Sequence, residues 1–360
     1  MPSGGPVPKL VRLVQLDGKL PNLALMKLAH WHRQQGWDVQ FTRHVDRGIL
    51  DREPDAVYGS CIFKYSRQHL TRFVKEWPQA VVGGTGSDSL LNVEHLIGQH
   101  EHYDYSIYPG YLPSIGFTQR GCRLKCGFCV VPQKEGRPIP VNSIRDIWRG
   151  EPYPKDVVLL DNDFFGQPPE EWKARVNELI DGQFRVSFNQ GLNVRLIHEE
   201  GAHWLGRVRY YDDQFKERRL YTAWDNLGDE AIFFRGVDML LKAGVRPRHL
   251  LVYMLIGYDP KETWEQRLYR VRRMQERGLL PFPMVYENRD PELKRFQRWV
   301  VRGYYRFIPW EKYTDEGRRA SRRMAAHPEH PGQGALFRER IQSSATDVDA
   351  DAVEQDYDYD

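Results

Sequence analysis

Apolar runs of strand length alternate with amphipathic, helix-length segments in the first third of the chain. The strand-like runs are KLVRLVQLD (9–17), WDVQFTR (37–43), DAVYGSCIF (55–63) and QAVVGGTGS (79–87). Between the first two, NLALMKLAHWHRQQG repeats apolar residues at helical spacing, with Asn22 placed to cap its start and Gly36 just past its end. Strands that alternate with helices favour a parallel, doubly wound sheet. We therefore predict an α/β Rossmann-like domain over residues 1–110.

The same alternation continues from about residue 111 to residue 314. Six strand-like runs follow one another: SIGFTQRG (114–121), DVVLLDND (156–163), FRVSFNQG (184–191), LYTAWDN (220–226), HLLVYMLIGYD (249–259) and PFPMVYE (281–287). In the helical segment DPKETWEQRLYRVRRMQERG, Asp259 is the expected N-cap and Pro260 the first-turn residue. LKRFQRWVVRGYYRFIPW then predicts one amphipathic helix. The polar residues 315–360 are predicted to be largely disordered.

The composition indicates the cellular compartment of the protein and the kind of partner that it binds. No apolar run approaches the length of about 18 residues that a membrane span needs, and the N-terminus MPSGGPVPKLVR lacks the apolar segment of a secretory signal. We therefore predict a cytoplasmic protein that does not bind a membrane. The net charge of +3 includes seven carboxylates and no Lys or Arg in residues 341–360, so the preceding chain is more basic. The positive charge of the chain before residue 341 suits a nucleic-acid substrate, although solvated arginine-rich helices explain this charge more simply.

Three of the four cysteines fall within eight residues, in GFTQRGCRLKCGFCVVPQKEGR. Each iron of a four-iron cluster takes one external ligand, so the thiolates of Cys122, Cys126 and Cys129 would leave one iron open. A structural zinc site is normally closed by four ligands. Cys61 lies far upstream, and no histidine lies within a few residues of the triplet. The spacing therefore favours an iron–sulfur cluster over zinc.

The segment CRLKCGFC, with Phe128 before the last cysteine, resembles the Cys-x-x-x-Cys-x-aromatic-Cys signature of the radical S-adenosylmethionine (SAM) superfamily. The resemblance implies that Cys122, Cys126 and Cys129 hold a [4Fe–4S] cluster whose open iron chelates SAM. It also implies a flavodoxin-type or ferredoxin-type electron donor, and release of a 5′-deoxyadenosyl radical that abstracts a hydrogen atom. The signature does not identify the second substrate.

The resemblance further implies a partial (β/α)₆ barrel of the TIM type over residues 111–314, with the cysteine loop after its first strand. In parallel barrels the functional residues gather at the carboxyl ends of the strands. The SAM contacts expected there are Asn162, Asp163, Asn189, Asp225, Ile256 and Gly257. Where the family often has Gly-Gly-Glu, this chain has Asp161-Asn162-Asp163, which would equally suit a turn.

The N-terminal domain resembles the cobalamin-binding domain of some radical SAM proteins in fold and position. Its characteristic D-x-H-x-x-G is absent, so cobalamin, and with it a radical methyltransferase, stays an alternative. Cysteines for a second cluster are also absent, which makes sulfur insertion improbable. A non-enzymatic, zinc-stabilised nucleic-acid-binding protein is the remaining alternative. Arg123 and Lys125, inside the cysteine loop, would stabilise an anionic cluster or meet an anionic substrate, although exposure to solvent explains these charges more simply.

Overall fold

The computed structural model of the protein describes residues 7–48, 51–286 and 290–314. The predicted disordered tail, residues 315–360, and Glu287 of the last predicted strand lie outside the described residues. The chain is α/β and divides into two compact units. The first comprises Met1–Gly116, Leu124–Arg137 and Asp146–Lys155, and the second comprises Phe117–Arg123, Pro138–Arg145 and Asp156–Asp360.

Within the described residues the elements follow one another as strands and helices. The strands are β1 (Leu10–Gln15), β2 (Asp38–Thr42), β3 (Ala56–Ser60), β4 (Val81–Gly83), β5 (Ser114–Gly116), β6 (Gln119–Arg120), β7 (Ile139–Pro140), β8 (Asp156–Leu159), β9 (Arg185–Phe188), β10 (Arg209–Tyr210), β11 (Leu220–Ala223), β12 (Leu250–Ile256) and β13 (Leu280–Val285). The helices are α1 (Leu23–Gln34), α2 (Arg67–Glu76), α3 (Glu94–Ile97), α4 (Val131–Lys134), α5 (Ile144–Ile147), α6 (Pro169–Asp181), α7 (Glu199–Arg207), α8 (Glu230–Lys242), α9 (Trp264–Glu276) and α10 (Pro291–Val301).

The first unit is built on a four-stranded sheet with the order β2-β1-β3-β4, in which every neighbouring pair is parallel. Its central strand β1 is buried along its whole length. Val11 and Leu13 belong to a core cluster that includes residues of α1, whereas Val14 packs with Phe73 of α2 in a second cluster. A strand that is apolar on both faces is what a sheet covered by helices on both sides requires. The four predicted strands and their parallel arrangement are confirmed.

Two predicted helix features differ in their outcome. The cap on α1 is confirmed, because the side chain of Asn22 accepts a hydrogen bond from Leu25 N at 3.1 Å. The cap on α9 is wrong, because the helix begins at Trp264 behind a capping box formed by Thr263 and Gln266. Asp259 instead accepts from Lys261 N in the preceding turn. The reciprocal capping box satisfies two backbone donors at the helix start, which the Asp-Pro pair does not.

The second unit contains two parallel sheets among its described residues, with the orders β10-β9-β8 and β11-β12-β13. Leu192 N, in the loop after β9, donates to Tyr221 O of β11 at 2.7 Å. The antiparallel pair β6–β7 also belongs to this unit. The coarse prediction of parallel strands alternating with helices is confirmed, although closure of these strands into a barrel is not detected in the described part of the chain.

Three local differences from the predicted pattern have identifiable causes. The predicted strand 114–121 is interrupted between β5 and β6, at Phe117 and Thr118. The predicted single helix after Glu287 ends at Val301, because Gly303 takes the left-handed conformation (φ 72°) and short 3₁₀ turns follow. Finally, α7 and the two-residue strand β10 were not predicted, since β10 is too short to show periodicity.

No helix among the described residues is both long and apolar enough to cross a membrane.

His32 on α1 is a buried imidazole without hydrogen-bond partners. It is 2% exposed, and neither ring nitrogen has a partner. The rings of Trp31, Trp37 and Tyr58 surround it, with centroids 4.5 to 5.5 Å away. Burial lowers the pKa of His32 to about 4, since the charged form would lose its hydration. The first unit therefore folds around a neutral histidine.

We predict that His32 makes stability fall as the solution is acidified. The unfolded chain takes up this proton near pH 6.5, whereas the folded protein resists protonation until about pH 4. Between those values the unfolded state binds more protons, so the free energy of unfolding should drop, by up to about 3 kcal/mol from this residue. Denaturant titrations from pH 7 to pH 4 should show a shallower loss for His32→Leu than for the wild type. Parallel pH profiles for the two proteins would contradict the prediction.

Candidate functional site

The three clustered cysteines lie in a loop between β6 and α4. Gly121 opens the loop in the left-handed conformation (φ 83°), and Cys129 N donates to Cys126 O at 3.0 Å in a single turn. None of the three cysteines is in a disulfide, and all three are partly exposed. Burial raises the pKa of Cys129, and the neighbouring Cys126 raises it further. Cys122 belongs to the second compact unit, whereas Cys126 and Cys129 belong to the first.

The thiols of the described structure are not arranged as ligands. Across residues 7–48, 51–286 and 290–314, no three or more His, Cys, Asp or Glu side chains form a group that could hold a metal ion. The donor set itself, three cysteines outside any disulfide with a four-and-three spacing, has the composition that a cluster with one open iron requires. The three residues therefore fit such a cluster in the chemistry of their donor atoms.

Asp161 anchors the segment that leads into this loop. Its side chain is 4% exposed and accepts hydrogen bonds from Thr118 N at 2.7 Å, from Gln119 N at 3.2 Å and from the Thr118 hydroxyl. Burial raises the pKa of Asp161 to about 7, and the bonds from Thr118 and Gln119 oppose that shift. Asp161 therefore ties the end of β8 to the residues just before Cys122. The sequence indicated Asp161 only as part of the Asp161-Asn162-Asp163 segment, without a role of its own.

Asp163 makes a second, charged tie to the same segment. It is 1% exposed, and its two oxygens receive Arg123 Nε at 2.7 Å and Arg123 Nη2 at 2.9 Å. Arg123 N also donates to Asp163, and Asp163 N donates to Gln119 Oε1 at 3.0 Å. Bidentate ion pairs between a guanidinium and a carboxylate are strong and directional. Arg123 thus faces neither an anionic ligand nor solvent alone, because it pairs with the carboxylate that was predicted to contact SAM.

The other predicted SAM-contact residues lie at carboxyl ends of strands in the second unit. Asn162 follows β8, Asn189 follows β9, Asp225 follows β11, and Ile256 ends β12 with Gly257 after it. Parallel pairing brings Asn162 and Asn189 to one sheet edge, and Asp225, Ile256 and Gly257 to one edge of the other sheet. The sequence pattern correctly placed all of these residues at strand ends.

The local contacts of Asp225, Ile256 and Gly257 determine which of their atoms a ligand could contact. Asp225 Oδ1 accepts from Leu255 N at 2.8 Å, and burial raises the pKa of this carboxyl. The side chain of Ile256 is fully buried, so a ligand at this point would meet backbone. Gly257 has a left-handed backbone (φ 79°), and a Cβ there would lie 2.5 Å from Leu293 Cδ1 of α10. A glycine is therefore required here whether or not a ligand binds.

A buried ion pair supports this second edge and also escaped the sequence analysis. Arg270 of α9 is 0% exposed and donates to Trp224 O at 2.9 Å and to Leu255 O at 3.0 Å. Its partner is Glu262, which also receives Arg267 Nε at 3.0 Å. Arg270 thus satisfies the carbonyls at the ends of β11 and β12. The only signal in the sequence is an arginine among the apolar positions of α9.

Cys61 is separated from the cysteine loop in chemistry as well as in sequence. It lies in the core of the first unit with 0% exposure, packed with Val57 and Phe73. Burial, together with the carboxylate of Asp17, raises the pKa of Cys61 to about 12. A thiol that resists ionisation is a poor metal ligand. Its prediction as a buried apolar residue is confirmed.

The carboxyl edge of the first unit's sheet is closed by the chain's own contacts. Asp17 accepts from Ile62 N at 2.7 Å and from Phe63 N at 2.8 Å. A Cβ at Gly84 would lie 2.2 Å from Cys61 O, and one at Gly86 would lie 2.4 Å from Phe63 O. The glycines after β4 thus serve close packing of the chain. In the described loops after β1, β3 and β4 no histidine is available as a lower ligand for cobalamin.

A scan against protein-family models, a search of curated proteins and a search of solved structures each find no match for this chain. Functional inference therefore depends on the residues themselves.

We predict that the Asp163–Arg123 pair restrains Cys122. Asp163→Asn should leave the guanidinium without its charged partner and loosen Phe117–Arg123, so Cys122 should be alkylated several-fold faster by iodoacetamide, as measured for each cysteine by peptide mass spectrometry. Asp229→Asn is the matched control, because Asp229 pairs with Arg195 at 2.6 Å in the same unit. Buried Cys61 serves as an internal reporter of global unfolding. An unchanged rate at Cys122, with Cys61 still protected, would refute the restraint.

Proposed function

We propose that this chain is a radical SAM enzyme with a single [4Fe–4S] cluster. The observation that supports the proposal most is the set of three partly exposed thiols outside any disulfide, Cys122, Cys126 and Cys129, spaced as in the superfamily signature. Their number leaves one iron open, and Cys61 is too deeply buried to act as a fourth ligand. When bound, such a cluster supplies one electron to cleave SAM and release a 5′-deoxyadenosyl radical.

The residues of this chain would prepare and enclose that chemistry. Asp161 and Asp163 hold the segment that carries Cys122 at a fixed position relative to β8. Asn162 and Asp163 would accept hydrogen bonds from SAM's amino group, and both oxygens of Asp163 also receive Arg123. Asn189 and Asp225 would accept bonds from ribose hydroxyls, and the backbone at Ile256 and Gly257 would bracket the adenine.

The proposal extends to the fold. The sheets β10-β9-β8 and β11-β12-β13 would be parts of one partial (β/α)₆ barrel, which the bond from Leu192 N to Tyr221 O supports. A Cβ at Gly191 would lie 3.3 Å from Tyr221 O, so the chain after β9 runs close beside β11. The first unit, with the parallel order β2-β1-β3-β4, would be the Rossmann-like N-terminal domain.

The proposed reaction needs partners that the chain does not supply. A flavodoxin-type or ferredoxin-type protein would deliver the electron, and SAM would be consumed or recycled. The second substrate is open, with nucleic acid among the candidates because the body of the chain is basic. We propose a cytoplasmic enzyme, since a reducing compartment keeps exposed thiols free.

Cysteine substitution and reconstitution test the cluster. Protein reconstituted anaerobically with iron and sulfide should absorb broadly in the visible range and, with dithionite, produce 5′-deoxyadenosine from SAM. Cys122→Ala, Cys126→Ala and Cys129→Ala should each abolish this product. Cys61→Ala is the matched control and should retain it, because Cys61 is a core residue.

Two outcomes would overturn the enzyme proposal. A fully reconstituted wild-type protein that fails to cleave SAM would exclude it directly. Colourless protein with one tightly held zinc and salt-sensitive nucleic-acid binding would instead establish the zinc-stabilised, non-enzymatic alternative.

Cobalamin retention separates the remaining alternative, a radical methyltransferase. We expect protein refolded with hydroxocobalamin and then desalted to carry none, because the contacts of Asp17, Gly84 and Gly86 close the sheet edge that would receive it. Absorbance of the desalted protein measures retention. Stoichiometric cobalamin would favour the methyltransferase, with the Cys61→Ala variant as a check that the thiol is not the ligand.

A further inference from the structure

A cluster of arginines surrounds His249 in the second unit. Arg218 and Arg219 immediately precede β11, and Arg246 and Arg248 lie in the turn that immediately precedes β12. Since β11 and β12 are parallel neighbours with Leu220 opposite Leu250, both segments lie at the amino edge of this sheet. The residues proposed to contact SAM lie at carboxyl ends of strands, so the arginine cluster is a separate feature.

The cluster is built by specific contacts. The guanidinium of Arg218 lies 3.9 Å from the ring centroid of Tyr210 and donates to Val208 O. Arg219 is buried and donates to Arg248 O at 3.0 Å, which ties the two segments together. The hydroxyl of Tyr210 lies 2.9 Å from His249 Nδ1. Stacking and backbone hydrogen bonds therefore hold the side chains of Arg218 and Arg219, whereas Arg246 and Arg248 are exposed residues in the turn that contains His249.

Charge in this cluster is not neutralised as it is elsewhere in the protein. Arg219 pairs with Glu217 at 2.6 Å, but among the described residues no carboxylate forms an ion pair with Arg218, Arg246 or Arg248. Other arginines of the unit do form ion pairs with carboxylates, for example Arg195 with Asp229. The Nε of Arg218 is buried without a hydrogen-bond partner. The guanidinium groups of Arg218, Arg246 and Arg248 thus carry positive charge that no described carboxylate pairs with, and an anion could approach Arg246 and Arg248 because both are exposed.

Histidine chemistry in the cluster fits an oxyanion. Burial lowers the pKa of His249 to about 4, with a smaller contribution from the charges of the neighbouring arginines, so the ring is neutral at physiological pH. If the Tyr210 hydroxyl donates to Nδ1, the ring hydrogen lies on Nε2 and provides a further donor. Planar, bidentate guanidinium donors match phosphate oxygens better than they match a point charge.

We propose that Arg218, Arg246, Arg248 and His249 form a phosphate-binding site at the amino edge of β11 and β12. The ligand is an organic phosphate, either the phosphodiester backbone of a nucleic acid or the diphosphate of a small metabolite. This site is independent of the iron–sulfur cluster, because none of its residues belongs to the cysteine loop. A nucleic-acid ligand would make it a surface that holds a polymeric substrate.

The test uses the full chain and three probes. Pyrophosphate binding is followed by ³¹P NMR, and a fluorescent uridine oligonucleotide of about 20 nucleotides by anisotropy. Poly-L-glutamate is the carboxylate competitor. We expect Arg246→Gln/Arg248→Gln to weaken phosphate binding on the order of tenfold and to reduce the salt dependence of oligonucleotide binding. Arg235→Gln/Arg272→Gln removes the same charge from exposed positions on α8 and α9 and should leave binding unchanged.

Each result decides the proposal. If the Arg246/Arg248 variant, but not the control variant, loses binding of both pyrophosphate and the oligonucleotide, the site is supported and its ligand is a nucleic acid. If the variant loses pyrophosphate binding and the wild type does not bind the oligonucleotide, the site is supported and its ligand is a small phosphate. Absence of binding by the wild type, or equal loss in the control variant, overturns it. Competition by poly-L-glutamate at equal charge also overturns it, in favour of a surface for an acidic protein. Thermal melts by circular dichroism establish that both variants are folded.

Discussion

Two buried carboxylates, Asp161 and Asp163, determine how the second unit presents the entry to the cysteine loop. Removing a carboxylate from water is costly unless hydrogen bonds or an opposite charge replace its hydration. Asp161 receives hydrogen bonds from neutral donors only, and burial therefore still raises its pKa. Asp163 meets this requirement with a guanidinium. The hydrogen bonds to Asp161 and the ion pair with Asp163 fix the position of residues 118–123. Cys122 lies in this segment, so its position is fixed by the same contacts.

A similar arrangement supports the neighbouring sheet. Arg270 is the buried charge there, and it needs Glu262 and the carbonyls of Trp224 and Leu255 to compensate for burial. In each sheet a buried ionic group links the end of one strand to a segment distant in sequence. Breaking either link would leave an uncompensated charge in the interior, which costs more than the pair gains. The strand ends next to the proposed contacts at Asp163 and Asp225 are therefore held by buried ionic groups.

The sequence predicted the regular elements well and the links between them poorly. β1, β3, β8 and β12 are apolar runs whose burial follows directly from composition, and Asn22 caps α1 as its position indicates. The start of α9 was misplaced because Asp259-Pro260 and Thr263–Gln266 both resemble helix starts, and the local pattern does not rank them. The roles of Asp161 and Asp163 depend on partners about 40 residues away. Local patterns carry no information on such partners, so Asp-Asn-Asp was compatible with a turn and with a ligand contact.

The unequal restraint of the cysteine loop has a kinetic consequence. Cys122 follows a segment held by two carboxylates, whereas between Gly121 and Val130 the loop contains a single turn and neither helix nor strand. A ligand captured first at the restrained thiol would bring the remaining two thiols to it as an intramolecular event. Their effective concentration would then be set by four and seven residues of chain rather than by diffusion. The segment held by Asp161 and Asp163 would thus determine where assembly of the site begins.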